Sequence, residues 1–242
     1  HKIAVDIFDA DIATQLIVLA GDIACHGFGL GEIHLRINAV QLRNAMGVAE
    51  SESGSLPFHD VRSRVLLDDL CTRIKSEPSW EINFQSLSEE NATARRQLML
   101  ATQILKHVDC DQPIRLLIAE CEKPVTIMMA LYLAYKFGIA DRLDISPLFE
   151  TTFGLEHGVD LIDQLLGHEV FCAYVRQRGR IAIETGFSDA GRFIGQVSAN
   201  LAIERLQLKI AGLIKAKLNA DVDFLIFNTH GESLGRGCAG PK

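Results

Sequence analysis

Short apolar runs rich in β-branched residues alternate with longer helical patterns along this 242-residue chain, and this alternation restricts the folds it can adopt. Strands separated by helices form parallel sheets with right-handed crossover connections. We therefore predict a single helix-rich α/β domain over residues 1–242, with parallel strands. The predicted strands lie at residues 33–37, 114–119, 143–148, 180–185 and 223–228.

Helical periodicity occupies most of the intervening sequence. Asp9 or Asp11 is a suitable N-cap for the first helix, because a carboxylate there accepts hydrogen bonds from the first turn. Ser86 or Ser88, followed by Glu89 and Glu90, has the composition of a helix start for residues 92–108. The predicted helices are 11–25, 39–48, 61–74, 92–108, 126–137, 158–166 and 195–218.

Ionisable side chains follow three of the predicted strands. Glu150 and Asp189 come just after the third and fourth strands, and His230 and Arg236 come after the fifth. The carboxyl ends of parallel strands converge on one crevice, so we expect these groups to meet there. Two carboxylates suit Mg²⁺ or Mn²⁺, with substrate oxygens filling other positions. Two alternatives stay open: the carboxylates cap the following helices, or His230 is structural.

The composition restricts the classes of partner and ligand that the chain can bind. The net charge of −7 disfavours nucleic-acid binding, which requires a basic face. An anionic substrate would then need a local positive site, and a metal supplies one. The six cysteines are scattered without a Cys-x-x-Cys pair, which favours reduced thiols in a cytoplasmic protein. No apolar run is long enough to span a membrane.

The three segments after the strands also resemble a known family. Residues 147–151 read Pro-Leu-Phe-Glu-Thr, residues 186–195 read Gly-Phe-Ser-Asp-Ala-Gly-Arg-Phe-Ile-Gly, and residues 230–237 read His-Gly-Glu-Ser-Leu-Gly-Arg-Gly. In this order they are similar to the Pro-Leu-Phe-Glu-Thr, Gly-Tyr-Ser-Asp-Ser-x-Lys-Asp-Ala-Gly and His-Gly-Arg-Gly-Gly-Ser-Ile/Val-Gly-Arg-Gly segments of phosphoenolpyruvate carboxylase. The resemblance is strong over residues 145–237 and weaker over residues 32–148.

This resemblance implies a fold and a reaction. The fold would be part of a TIM-like (β/α) barrel, the central portion of a longer chain that assembles as a homotetramer. Glu150 and Asp189 match the family's ligands of Mg²⁺ or Mn²⁺. The substrates would be phosphoenolpyruvate and bicarbonate. Bicarbonate attacks the phosphate, the resulting carboxyphosphate releases carbon dioxide, and the enolate attacks carbon dioxide to give oxaloacetate.

The resemblance also assigns roles to basic residues. His230 would place bicarbonate and orient its attack, and Arg236 would bind the substrate phosphate. Arg192 stands where the family has an active-site lysine, which keeps the charge but changes a point donor into a planar fork. Arg36 matches the first arginine of the family's Val-Arg-Ile-Asp-Ile-Arg-Gln segment and would contact substrate.

Two departures from the family pattern bear on activity. Glu232 occupies the place of the first arginine in the glycine-rich loop, and Val40 replaces the second arginine of the upstream segment. Arg43, one helical turn after Val40, is the candidate substitute. We therefore carry three hypotheses: a divergent carboxylase or a piece of one, a related metal-dependent barrel enzyme with another anionic substrate, and a catalytically silent binding or regulatory module.

Overall fold

The computed structural model describes residues 9–26, 33–48, 61–108, 112–218 and 222–229. The strands are β1 (His34–Asn38), β2 (Ile114–Ala119), β3 (Leu143–Phe149), β4 (Arg180–Gly186) and β5 (Asp223–Thr229). The helices are α1 (Ala10–His26), α2 (Ala39–Met46), α3 (Val61–Ser76), α4 (Phe84–Glu89), α5 (Thr93–His107), α6 (Pro124–Lys136), α7 (Thr152–Leu165), α8 (Glu169–Arg178), α9 (Phe187–Ile194) and α10 (Gln196–Leu218).

The five strands form one parallel sheet in the order β1-β2-β3-β4-β5. Each of the strands β1 to β4 is followed by at least one helix and pairs with the next strand along the chain. This sequential order is that of a barrel wall, whereas doubly wound sheets reverse their strand order. Among the described residues the sheet is open. The prediction of a helix-rich α/β fold with a partial barrel is confirmed.

One face of the sheet is apolar and covered by helices. Ile37 and Ile118 are paired in register and therefore project from the same face. Both are buried, as are Ile145, Phe149 and Ile183 on that face of β3 and β4. Each Å² of apolar surface that is buried stabilises the fold by about 25 cal/mol. This sheet–helix interface is therefore the main stabilising contact of the fold.

The opposite face is concave and carries polar side chains as well as apolar ones. Register places Arg36 of β1, Ser146 of β3 and Glu184 of β4 on this face. The rings of His34 in β1 and Phe227 in β5 lie 5.1 Å apart between centroids, although these strands form the two edges of the sheet. The sheet is therefore curved like the wall of a barrel, and its concave face carries ionisable groups.

The first half of β3 is supported by a tyrosine. Backbone pairing between β3 and β4 is confined to Leu148 with Glu184 and Phe149 with Thr185. Earlier in β3, the Tyr174 hydroxyl accepts from the N–H of Ile145 at 2.9 Å and donates to the carbonyl of Leu143 at 2.8 Å. The side chain thus satisfies backbone groups that a complete ladder would have paired.

A second polar cluster lies in the helix layer, between α3 and α6. Glu77 contacts Lys136 at 2.7 Å, and the Arg73 guanidinium donates to its carboxylate at 2.8 Å. The Tyr132 hydroxyl also donates to Glu77, at 2.9 Å. Lys136 donates to the Pro78 carbonyl as well, at 2.7 Å, and only 3% of its surface is exposed. We call these residues the Glu77 cluster.

Several predicted element bounds need correction. Residues 84–89 form the separate helix α4, capped by Asn83, so Ser86 and Ser88 do not start the next helix. Helix α7 begins at Thr152 rather than at residue 158. Helices α8 and α9 were not predicted. The first helix agrees with its prediction, and the Asp9 carboxylate accepts from the N–H groups of Asp11 and Ile12.

None of the helices in the described part of the chain is both long enough and apolar enough to cross a bilayer.

Candidate active site

Glu150 lies immediately after β3, at the carboxyl edge of the sheet. The next residue, Thr151, is the N-cap of α7, and its hydroxyl accepts from the N–H of Gly154 at 3.0 Å. Glu150 therefore does not cap the helix, and the capping alternative is wrong for this residue. Its side chain is half-buried at the edge toward which the strands converge.

Asp189 lies in the first turn of α9, which begins directly after β4. The N-cap is Gly186, and it makes no side-chain cap hydrogen bond. The capping alternative is thus wrong for Asp189 too, although a carboxylate in a first turn favours the helix electrostatically. A guanidinium nitrogen of Arg192 lies 3.7 Å from its carboxylate, with both side chains largely exposed at 76% and 47%.

The two predicted metal ligands act on each other electrostatically. Partial burial raises the pKa of Glu150, and the negative charge of Asp189 raises that pKa further. Arg36 opposes the shift, while the Glu120 carboxylate adds to it. Two other carboxylates and the Arg36 guanidinium thus act on Glu150. The ionised form of Glu150 is disfavoured there, and a nearby cation would favour it.

Gly186 allows Glu150 to occupy this position. A Cβ built on Gly186 would lie 2.6 Å from the Cβ of Glu150 and 3.2 Å from the Cδ1 of Leu148. Atoms do not approach that closely without displacement, so any larger residue at position 186 would displace Glu150 from this position. Sequence reasoning placed Gly186 in a motif but missed this role; a glycine at a strand end is the signal for such a close approach.

Glu120, after β2, adds a backbone contact. It is the only described non-glycine residue with a positive φ, at 56°, a conformation that costs energy for a residue with a Cβ. Its N–H donates to the Glu150 carboxylate, which lowers the pKa of Glu150 and opposes the effect of burial. Strained backbone of this kind is common where a site must hold a side chain in place.

The turns after β2 and β3 are tied to each other. The Thr151 hydroxyl donates to a carboxylate oxygen of Glu122 at 2.8 Å. Glu122 also donates its N–H to the carbonyl of Glu120, at 3.2 Å. Thr151 is adjacent to Glu150 in the chain, so this linkage holds the two turns that carry Glu120 and Glu150 next to each other. Sequence reasoning did not identify the Glu122–Thr151 bond.

The remaining predicted site residues do not all lie near Glu150 and Asp189. Arg36 lies on the concave face and acts on Glu150. Arg43 and Val40, on α2, line a cavity of about 660 Å³ whose lining does not include Glu150 or Asp189. His230, Arg236 and Glu232 lie outside the described residues, so their roles stay predictions.

The chemistry of this edge fits a divalent cation held by few protein ligands. Among the described residues there is no group of three or more His, Cys, Asp and Glu side chains arranged to hold a metal ion. Mg²⁺ needs no such cage, because it is commonly held by one or two carboxylates with water and substrate oxygens completing the shell. Glu150 and Asp189 are the carboxylates whose mutual repulsion such an ion would relieve.

Comparison with known proteins gives a consistent result. A family model for phosphoenolpyruvate carboxylase matches residues 9–242. The chain is 24% identical over 248 positions to a phosphoenolpyruvate carboxylase of Corynebacterium glutamicum, which covers 98% of the chain and 26% of that relative. It is 31% identical over 103 residues to the enzyme of a Thermus species, covering 43% of the chain and 12% of the relative. Over 96 residues it is 35% identical to that of Rhodothermus marinus, covering 39% of the chain and 10% of the relative.

Proposed function

Because the chain belongs to the phosphoenolpyruvate carboxylase family, we propose that it forms the central barrel portion of a Mg²⁺-dependent carboxy-lyase. The reaction joins phosphoenolpyruvate and bicarbonate to give oxaloacetate and phosphate. The observation that supports this most directly is the electrostatic coupling of Glu150 with Asp189 at the carboxyl edge of the sheet. The chain spans only 10–26% of the length of the relatives described above. We therefore propose this reaction for the full-length protein that contains the chain.

Glu150 and Asp189 would hold Mg²⁺ or Mn²⁺. When bound, the cation would supply Lewis-acid stabilisation of the enolate and the phosphate. The chain's own contribution is the placement of the two carboxylates. Gly186 leaves room for Glu150, the Glu120 N–H orients its oxygens, and the charge of Asp189 keeps the site attractive to cations.

Two arginines near the carboxylates would bind the anionic substrate. Arg36 lies on the concave face and acts electrostatically on Glu150, and Arg192 is largely exposed beside Asp189. Guanidinium groups bind phosphate and carboxylate through paired N–H donors. His230 would orient bicarbonate, and Arg236 would bind phosphate. By analogy with the family, the full-length protein would be a cytoplasmic homotetramer.

A catalytically silent binding module is the second candidate. It is favoured by the contact between Asp189 and Arg192, because an aspartate that already has a cationic neighbour does not require a metal. The replacement of the family's arginines by Val40 and Glu232 favours it as well. A metal-dependent enzyme with another anionic substrate would share the cation site and differ only in what it accepts.

The decisive experiment uses the full-length protein with Mg²⁺, bicarbonate and phosphoenolpyruvate. Release of both oxaloacetate and phosphate is expected, together with binding of Mn²⁺ by calorimetry. Asp189→Asn should weaken Mn²⁺ binding at least about tenfold, since it removes one of two charged ligands. Asp68→Asn, at an exposed acid on α3, is the matched control.

The outcomes separate the hypotheses. Mn²⁺ binding that depends on Asp189, without turnover of phosphoenolpyruvate, would point to another anionic substrate. Absence of both turnover and Mn²⁺ binding in the intact protein would support the silent module and contradict the proposal.

A further inference from the structure

A cavity of about 660 Å³ lies beside the candidate metal site but is distinct from it. It is bounded by α2, by the first turns of α3 and by the turn and helix that follow β2. Its volume falls within the range of pockets that hold small organic ligands. Neither predicted metal ligand lines it. Glu120 lines it and also donates its N–H to Glu150, so the two sites share one residue.

The charge around this cavity is opposite in sign to that of the chain. Three cationic side chains line it: Arg43 of α2, Arg62 of α3 and Lys123, which precedes α6. Two carboxylates also line it, Glu120 and Glu122. Among the described residues, the lining therefore carries one more positive than negative charge, whereas the whole chain has a net charge of −7.

Both carboxylates line the cavity while they also act on the turn after β3, so their charges count in this balance. Glu122 accepts a hydrogen bond from the Thr151 hydroxyl at 2.8 Å, a contact with the turn after β3. Glu120 contributes its charge to the environment of Glu150. A single excess positive charge suits a singly charged anion better than a dianion, because a second negative charge would remain uncompensated.

The rest of the lining is apolar. Val125 and Met129, on α6, are buried beneath the cavity, and Leu66 of α3 is half-buried beside it. Val40 stands on α2 with 42% of its surface exposed. A branched or aromatic group placed against these side chains would remove apolar surface from water on both partners. Charged groups and an apolar surface therefore line the same pocket.

We propose that this cavity binds a small monocarboxylate with a compact apolar body. Arg43, Arg62 and Lys123 meet the carboxylate, and Val40, Leu66, Val125 and Met129 contact the body. The binding itself does not depend on the metal at Glu150. An effect of the bound ligand on that metal, transmitted through Glu120, rests on the proposed function.

Calorimetry on the full-length protein without divalent cations tests the binding, with benzoate as the probe. Benzamide has nearly the same shape without the charge, and phenyl phosphate carries a larger charge on the same ring. We expect benzamide to bind at least about tenfold more weakly than benzoate, since a charge-assisted hydrogen bond is lost. Phenyl phosphate should bind no more tightly than benzoate. Tighter binding of phenyl phosphate would contradict the choice of a carboxylate, and equal binding of benzamide would overturn the proposal.

Two exposed arginines of α3 give a matched pair of variants. Arg62→Gln should weaken benzoate about tenfold, while Arg64→Gln, two residues on and outside the cavity lining, should leave it unchanged. Equal losses in both variants, or no loss in Arg62→Gln, would overturn the proposal. No metal is present in this experiment, so a failure of benzoate to bind would not contradict the carboxylase proposal. Conversely, an absence of carboxylase activity would not contradict benzoate binding at this cavity.

Discussion

Glu77 and Glu150 are both partly exposed glutamates with charged neighbours, yet their surroundings act in opposite directions. Hydrogen bonds from Lys136, Arg73 and Tyr132 lower the pKa of Glu77 to about 2. Burial and the charge of Asp189 raise the pKa of Glu150, and Arg36 only partly opposes them. One carboxylate is satisfied by the folded chain itself, and the other is held in a position that disfavours its charge.

The difference separates a structural group from a candidate functional one. The Glu77 cluster joins α3 to α6 through direct side-chain contacts, and each of its charges has a partner. Glu150 instead lies against a glycine, next to a residue in a left-handed conformation and near a second carboxylate. Unfavourable placements of this kind are commonly found at binding and catalytic sites.

The largest expected effect is on carboxylation activity, which should fall when Glu150 is substituted but not when Glu77 is. Glu150→Gln should reduce carboxylation of phosphoenolpyruvate by the full-length protein at least about 10³-fold, because it removes a charged ligand of the proposed cation. Glu77→Gln should leave kcat/KM within about twofold, since that residue lies in the helix layer. Equal losses in steady-state assays of the two variants would remove the functional distinction.

Gly186→Ala tests the close approach to Glu150. The added methyl group would lie 2.6 Å from the Cβ of Glu150, so this side chain must move. We expect a loss of Mn²⁺ affinity of about tenfold or more, measured by calorimetry, because displaced ligands bind metals poorly. Gly212→Ala on α10, where a Cβ meets nothing within 4 Å, is the control. Unchanged affinity in Gly186→Ala would contradict the role of this glycine.

Lys136→Met tests the structural side of the comparison. The side chain is buried, so its loss leaves Glu77 and the Pro78 carbonyl without their shared donor. We expect the Tm to fall by about 5 °C, because Lys136 is itself buried and its removal leaves the Pro78 carbonyl without this donor. Lys106→Met, at an exposed position of α5, should change the Tm little. Thermal denaturation followed by circular dichroism measures both.

The depressed pKa of Glu77 also predicts an acid dependence. Its folded-state pKa of about 2 lies below the ordinary value of 4.5, so its stabilising effect is present above pH 4.5 and is lost as the pH falls toward 2. Glu77→Gln should therefore be less stable than the wild type at neutral pH, and the gap should narrow across this range. Urea titrations at several pH values measure it. A constant gap would show that Glu77 does not act through its charge.

The smallest expected effect is on the Tm of Glu150→Gln, and its sign is opposite to that of the stability change in Glu77→Gln. The folded-state pKa of Glu150 is raised, so the group favours folding at low pH and loses that contribution as the pH rises through its folded-state pKa. Glu150→Gln should therefore raise the Tm at pH 7 by about 2 °C, with the gain disappearing below pH 4.5. Scanning calorimetry without divalent cations measures the change, and a lower Tm at pH 7 would contradict it.

The sheet could be predicted closely from the sequence, and the short helices could not. All five strands lie within one residue of their predicted bounds, because β-branched residues on the covered face form distinct apolar runs. Helix α9 was missed because it follows β4 without a linker, with Gly186 serving as both strand end and N-cap. Nothing in that local pattern distinguishes such a helix from a loop.

Helix α7 shows a different limit. Gly154 and Gly158 weaken a helical pattern, which is why its first turns were not predicted. The structure explains Gly158: a Cβ there would lie 3.0 Å from both Phe149 of β3 and Leu206 of α10. The glycine allows the helix to pack closely between a strand and another helix. That requirement depends on residues far away in the sequence.

The sequence by itself determined the parallel α/β architecture and the family, and it singled out Glu150 and Asp189 as candidate ligands, because periodicity and motif order are local properties of the chain. Only the tertiary structure decided that these carboxylates do not cap helices and that Gly186 makes room for one of them. It also decided that Glu120 directs its N–H to Glu150 and that Arg43 lines a separate cavity. These relations depend on distances between side chains on different strands and helices, and such distances exist only once the chain has folded.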